Sequence, residues 1–230
     1  MHPLFDAHSH LGGAPALGVG RRVICGTRES DWGSVLAAAE ADPGVIPMLG
    51  LHPWFAAEAA AGWESRLETL LRTHPAGVGE CGLDFSQQDA DCSAQAAALR
   101  TQLGLARTLG RPVALHAVRA WGPLLTLLRA AGPLPRGMVH AYSGSPETAR
   151  ELQALGLWLS FSAARLEAHG PAAQASLLAV TGDRLLLESD GQADLAEVLA
   201  SLARHGGEDP AVLAVRTWEN GLQCFREVLA

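Results

Sequence analysis

Five histidines and two acidic residues, Glu80 and Asp190, in this 230-residue chain fall in short motifs that could hold metal ions. His8 and His10 lie two residues apart in Asp6-Ala7-His8-Ser9-His10. In extended chain that spacing puts both imidazoles on one face. His52 follows Gly50-Leu51, and Glu80 lies in Gly79-Glu80-Cys81-Gly82-Leu83-Asp84. His116 ends Pro112-Val113-Ala114-Leu115-His116, His140 follows Val139, and Asp190 follows Glu188-Ser189. Four imidazoles and two carboxylates suffice to hold two divalent ions with open coordination positions. Taken singly, each histidine reads more simply as a hydrogen-bonded core or loop residue. Several buried together need a common reason, because unpartnered buried polar groups are costly. Metal binding supplies one.

The elements that must position these residues alternate. Short apolar runs at Leu4–His8, Arg22–Gly26, Val45–Leu51, Gly77–Leu83, Pro112–Ala117, Gly137–Ala141, Leu157–Phe161 and Arg184–Glu188 read as strands buried on both faces. Helical patterns follow at Ser34–Ala41, Trp63–Arg72, Ala90–Leu109, Ala120–Ala131, Pro146–Leu155, Pro171–Val180 and Asp194–His205, with a last helix at about Pro210–Val228. Eight such units predict an α/β fold, a distorted (β/α)8 barrel of the TIM type, with the motifs at the C-terminal strand ends where barrel active sites lie. A doubly wound sheet is the rival, but no Gly-rich phosphate loop follows any strand. Between Leu11 and Arg21 the chain is too rich in glycine for a helix, so the first crossover helix is expected to be missing or reduced to a turn. The whole chain, 1–230, reads as one hydrolase barrel domain.

Composition narrows the chemistry. All seventeen basic residues are arginine. The absence of lysine excludes a P-loop lysine, a Schiff base and a carboxylated lysine between two metals. The net charge of −7 leaves no broad basic face, so any phosphate must meet a local cationic feature. Four cysteines with no CxxC pair make no disulfide framework, and no signal peptide or bilayer-length apolar run is apparent, which points to the cytoplasm and to no membrane.

Among other residues, Trp54 follows His52 on a rim loop and is expected to stack on a substrate base, with a structural role as the alternative. Ser143 and Ser145 precede Pro146, where a helix N-cap and a phosphate site are compatible readings. Cys25 and Cys81 read as small buried side chains. His2, His74, His169 and His205 read as surface residues.

The sequence resembles the TatD family of metal-dependent hydrolases, best described as deoxyribonucleases of the amidohydrolase-like barrel superfamily. The matching motifs are Asp6-Ala7-His8-Ser9-His10-Leu11, Gly50-Leu51-His52-Pro53, Gly79-Glu80-Cys81-Gly82-Leu83-Asp84, Pro112–His116, Val139-His140-Ala141-Tyr142-Ser143-Gly144-Ser145, Leu185-Leu186-Leu187-Glu188-Ser189-Asp190 and Thr217-Trp218-Glu219-Asn220 with Phe225. They run in family order over nearly the whole chain. The resemblance implies a two-metal site in which His8, His10, Glu80 and Asp190 hold one ion, and a bridging Glu80 with His116 and His140 holds the other. The lack of lysine agrees with Glu80 as bridge, because two neighbouring cations need an anion between them. Mg²⁺, Mn²⁺ and Zn²⁺ all suit the site. Two departures concern the substrate: the segment after strand one and the loop after Asp190 are trimmed, with Gln192 where the family usually carries Pro. Arg119 lies three residues after His116 rather than two.

The function expected is hydrolysis of phosphodiester bonds by a TatD-type DNase acting on DNA ends or single strands. Asp190 and Glu80 are the catalytic carboxylates, with Asp190 as proton acceptor. His52, Ser143, Trp54 and Arg119, or Arg22, are the candidate substrate contacts. An ester or amide hydrolase, such as an aminoacyl-tRNA deacylase, is the alternative, and a non-catalytic accessory protein is a lesser one. No obligate protein partner is evident.

Overall fold

A computed structural model describes residues 2–12 and 18–229. Eight strands, β1 (Leu4–Ser9), β2 (Val19–Cys25), β3 (Val45–Leu49), β4 (Gly77–Asp84), β5 (Val113–Val118), β6 (Gly137–Val139), β7 (Trp158–Phe161) and β8 (Leu185–Leu187), form one parallel sheet in sequential order. The helices are α1 (Glu29–Ala41), α2 (Trp63–Thr73), α3 (Cys92–Leu109), α4 (Trp121–Ala130), α5 (Pro146–Ala154), α6 (Ala163–Leu178), α7 (Leu195–Gly206) and α8 (Pro210–Cys224). This is the expected (β/α)8 barrel.

Two apolar layers hold it together. Inside the barrel pack Phe5, Ala7, Val23, Ile46, Met48, Ala114, Met138, Trp158 and Leu186. Phe225 plugs this interior, stacking on Phe5 with ring centroids 5.9 Å apart. Between strands and helices lies the larger cluster, including Leu67, Leu99, Leu124, Leu159 and Leu202. The motif in the last helix is therefore structural: Asn220 donates to the carbonyls of Gly182 and Leu185 and ties α8 to the base of β8.

The barrel is nearly closed. Among the described residues no ladder joins β8 to β1. The Asp6 carboxylate bridges them instead, accepting from the Ser189 amide at 2.9 Å and from the Ser189 hydroxyl, while the Asp190 amide donates to the His8 carbonyl at 3.0 Å. Burial pushes the Asp6 carboxyl up to about 7.

Several boundaries differ from the sequence reading: β2 begins at Val19 rather than Arg22, α8 ends at Cys224 rather than Val228, and α1 and α6 start early. The expected loss of the first crossover helix falls largely on residues 13–17, outside the described residues; the flanking positions 11, 12 and 18 are turns. Helix α1 begins five residues before Ser34, because the Asp31 carboxylate accepts from the amide and hydroxyl of Thr27 and starts the first turn there. Helix α6 begins at Ala163 rather than Pro171. The non-helical Gly170 (φ 47°) and Pro171 break it in the middle, so the sequence signal looked like a start. No helix among the described residues is long and apolar enough to cross a membrane.

Because Asp6 substitutes for the missing ladder, Asp6→Ala leaves a buried amide and hydroxyl without an acceptor. The variant should lose about 1–3 kcal/mol of stability. Urea unfolding in the presence of a chelator measures this, and an unchanged midpoint would show that the seam is held by something else.

Candidate metal centre

Two register slips aim the donors inward. On β1, Asp6 pairs with Arg22 and Ser9 with Ile24, so three steps on one strand match two on the other. On β4, Val78 pairs with Val113 and Cys81 with Leu115, the same excess. A one-residue slip exchanges the two faces of a strand. Phe5 and Ala7 point into the barrel, and after the slip His8, of opposite parity, joins the donor group at its mouth. Val78 and Cys81 both pack in the outer layer, which leaves Glu80 between them facing inward. Gly82, at φ +155°, permits close strand contact here: a Cβ would lie 2.0 Å from the His116 carbonyl oxygen.

The donors form two groups that meet on one carboxylate. His8 Nε2 and His10 Nε2 are 3.2 Å apart, and each lies 3.4–3.5 Å from Glu80 Oε2. Asp190 Oδ1 is 3.8 Å from the first and 3.6 Å from the second. Metal–nitrogen bonds near 2.1 Å in tetrahedral geometry place neighbouring ligand atoms about 3.4 Å apart, so this set fits a divalent ion. In the second group His116 Nδ1 and His140 Nε2 are each 2.8 Å from Glu80 Oε1 and 2.9 Å from one another. His52 Nε2 lies 3.4 Å from the same oxygen. The mix of imidazole and carboxylate suits Zn²⁺ or Mn²⁺ as well as harder ions.

Charge and burial oppose each other at Glu80, His116 and His140. Burial works against ionisation of Glu80, but His140 and His8 outweigh it and hold the carboxyl well below its ordinary range. Burial and the neighbouring His140 lower His8, and burial lowers His52. For His116 burial is outweighed by Asp84 and Glu80, and for His140 by Glu80 and Glu188, so both rings hold protons above the ordinary imidazole range.

Several supports escaped the sequence reading. Asp84 Oδ2 lies 3.1 Å from His116 Nε2, and Glu188 Oε1 faces His140 Nδ1 at 3.7 Å. His10 Nδ1 lies 3.1 Å from the Cys25 carbonyl, and His8 Nδ1 lies 3.5 Å from its sulfur. Such partners orient ligating rings. Two buried glutamines on α3 clamp the loops behind them. Gln102 bonds the amide and carbonyl of Leu51, and Gln95 bonds those of Asp84. Their seven-residue spacing, two turns of helix on an otherwise apolar face, is the sequence signal that could have revealed them.

The candidate substrate residues divide. His52 is buried against the second donor group, and Trp54 stands beside it, half exposed. Ser143 is exposed and borders a cavity of about 330 Å³ near Arg165, whereas Ser145 serves as N-cap of α5, accepting from the Thr148 amide. Arg119 is an exposed rim residue at φ 53° beyond the end of β5. Arg22 shares the outer face of β2 with Ile24, away from the donors, because alternation along β2 turns Val23 and Cys25 inward. Cys25 and Cys81 are buried, as expected.

The profile of the TatD related DNase family matches residues 5–226. The 3'-5' ssDNA/RNA exonuclease TatD of Cronobacter sakazakii is 31 % identical over 96 % of this chain and 92 % of its own length. That of Edwardsiella piscicida is 34 % identical over 75 % of this chain and 68 % of its own. Among solved structures, a TatD homologue from Escherichia coli superposes with a TM-score of 0.89 at 26 % identity, covering 97 % of this chain and 98 % of that one.

Two outcomes follow from the geometry. A ligating imidazole must surrender its proton, so returning divalent ion to chelator-stripped protein should release protons. Affinity should rise as the pH climbs above the ordinary imidazole value of about 6.5, because His116 and His140 both hold their protons beyond it. Calorimetry in two buffers of different ionisation enthalpy reads the release; uptake without it would contradict the placement of His116 and His140. Asp84→Ala, which removes the partner of His116, should weaken one ion's affinity by about 10–100-fold with the circular dichroism spectrum unchanged.

Proposed function

We propose that this chain, which belongs to the TatD related DNase family, is a metal-dependent phosphodiesterase that trims single-stranded nucleic acid from its ends. The observation that carries the reading is the division of one buried carboxylate: Glu80 turns Oε2 to His8 and His10, and Oε1 to His116 and His140. That is the arrangement expected of a bridge between two divalent ions. His8, His10, Glu80 and Asp190 would hold one, and Glu80, His116 and His140 the other. Ions bound there would acidify a water molecule and polarise a phosphoryl oxygen.

The chain's own residues supply the rest. Glu80 offsets part of the positive charge that would otherwise drive the ions apart. Asp190 is the proton acceptor; its side chain is 32 % exposed, so a proton taken from the attacking water can pass to solvent. His52, at the inner edge of the second donor group, is placed to orient a phosphate oxygen. Arg119 and Ser143, exposed at the rim, supply local contacts to the backbone of the nucleic acid, which the net charge of −7 would otherwise repel. The names of the curated relatives support single-stranded DNA or RNA as substrate.

Glu80→Gln keeps the side chain's size and removes its charge. The variant should bind fewer than two ions and lose activity by about a thousandfold or more, with the fold intact. Metal stoichiometry and phosphodiesterase rate on one preparation test this; two bound ions with near-native turnover would remove Glu80 as the bridge. A metal-supplemented screen over single-stranded DNA, RNA, bis-p-nitrophenyl phosphate and carboxyl esters tests the bond cleaved. Faster turnover of the esters would replace the phosphodiesterase reading with that of an ester hydrolase.

A further inference from the structure

Trp54 is 54 % exposed at the rim, yet it is tied down on two sides. Its amide donates to His52 Nδ1 at 3.2 Å, and its indole N–H donates to Asp84 Oδ2 at 2.8 Å. The indole meets the His52 ring edge-on, with centroids 4.9 Å apart, and His52 Nε2 is 3.4 Å from Glu80. A single imidazole therefore separates the indole from the carboxylate at the middle of the site. A large aromatic side chain held rigid but left open to water is a ready stacking surface, since the entropy of fixing it has already been lost on folding.

The space beside the ring discriminates between the parts of a nucleotide. A cavity of about 310 Å³ opens there, lined by Trp54, Pro53, Glu58, Asp89 and Asp91 among others. The three carboxylates repel a phosphate. Asp91 Oδ1 already caps α3 through the Ser93 and Ala94 amides, and Glu58 and Asp89 are the acceptors for the amino and imino groups of a base. Asp84 adds a constraint of position, because the oxygen that holds the indole also lies 3.1 Å from the outer nitrogen of His116.

We propose that Trp54 is a stacking platform for a nucleobase, set by Asp84 in fixed register with the metal-ligating residues. The platform takes the flat face of a terminal or penultimate base, of any identity, while the phosphodiester to be cut lies toward His52 and Glu80. The inference rests on the nuclease reading above.

The test uses single-stranded oligodeoxynucleotides and the same strands with an abasic residue at the terminal or penultimate position of either end. One abasic position should raise the KM of the wild-type enzyme by about ten- to a hundredfold, the range of base–aromatic stacking. Trp54→Ala should raise the KM for the intact strand to that level and abolish the discrimination, at unchanged metal content. Trp54→Phe, which keeps a ring but lacks the donor to Asp84, should retain most of the discrimination in KM and lose kcat. In chelator-stripped protein, the intact strand should quench tryptophan emission in the wild type and not in Trp54→Phe. Equal KM for intact and abasic strands, or discrimination retained by Trp54→Ala, would overturn the platform and leave the nuclease reading standing. Failure to cut any oligonucleotide, intact or abasic, would overturn both.

Discussion

A carboxylate with almost no contact with water must be surrounded by donors or cations, and the mouth of this barrel is arranged around that demand at Glu80. Five imidazoles stand within reach of its two oxygens. The ring nitrogens of His116 and His10 that face away from it meet Asp84 and the Cys25 carbonyl, while His140 Nδ1 faces the Glu188 carboxylate at 3.7 Å, an ion-pair distance rather than a hydrogen bond. The electrostatics are layered, with an acid at the centre, imidazoles around it and acids again outside. Each layer makes the next tolerable at such depth.

Reaching that arrangement required the barrel to depart from regularity. In a regular strand, residues that fill the barrel interior and residues that meet at its mouth would have the same parity. Here Phe5, Ala7 and His8 all serve the inner side, and so does Glu80 between two outward-packed neighbours, because an extra residue is absorbed locally between Asp6 and Ser9 on β1 and between Val78 and Cys81 on β4. The slips occur on the two strands that supply the acid and the histidine pair. The fold thus keeps an apolar plug below and a polar mouth above without lengthening either strand.

Much of this could be read from the residues. The donors stand out because histidine and acid at strand ends break an otherwise apolar pattern, and the strands announce themselves by short runs between glycine and proline. The slips could not be read, since a two-residue alternation gives no sign of where an extra residue is absorbed. Nor could the start of α6, where Gly170 and Pro171 imitate a boundary, or that of α1, fixed by the contact between Thr27 and Asp31. The seam between β8 and β1 depends on residues 183 apart, Asp6 and Ser189, a pairing that no local pattern reveals.

The glutamine pair on α3 has a mechanical consequence. Gln102 grips the backbone at Leu51, just before His52 and Trp54, and Gln95 grips that of Asp84. One helix is thus the mount for both loops, so that wall of the cleft behaves as a single jaw. If α3 shifts, the spacing between indole, imidazole and carboxylate is carried along unchanged, and only the gap to the opposite wall alters. Ser86 extends the grip into the turn that follows, its amide and hydroxyl donating to Asp84 Oδ1. Only the part of the turn beyond Ser86 can therefore change in length among descendants of this sequence without disturbing the calibration of the jaw.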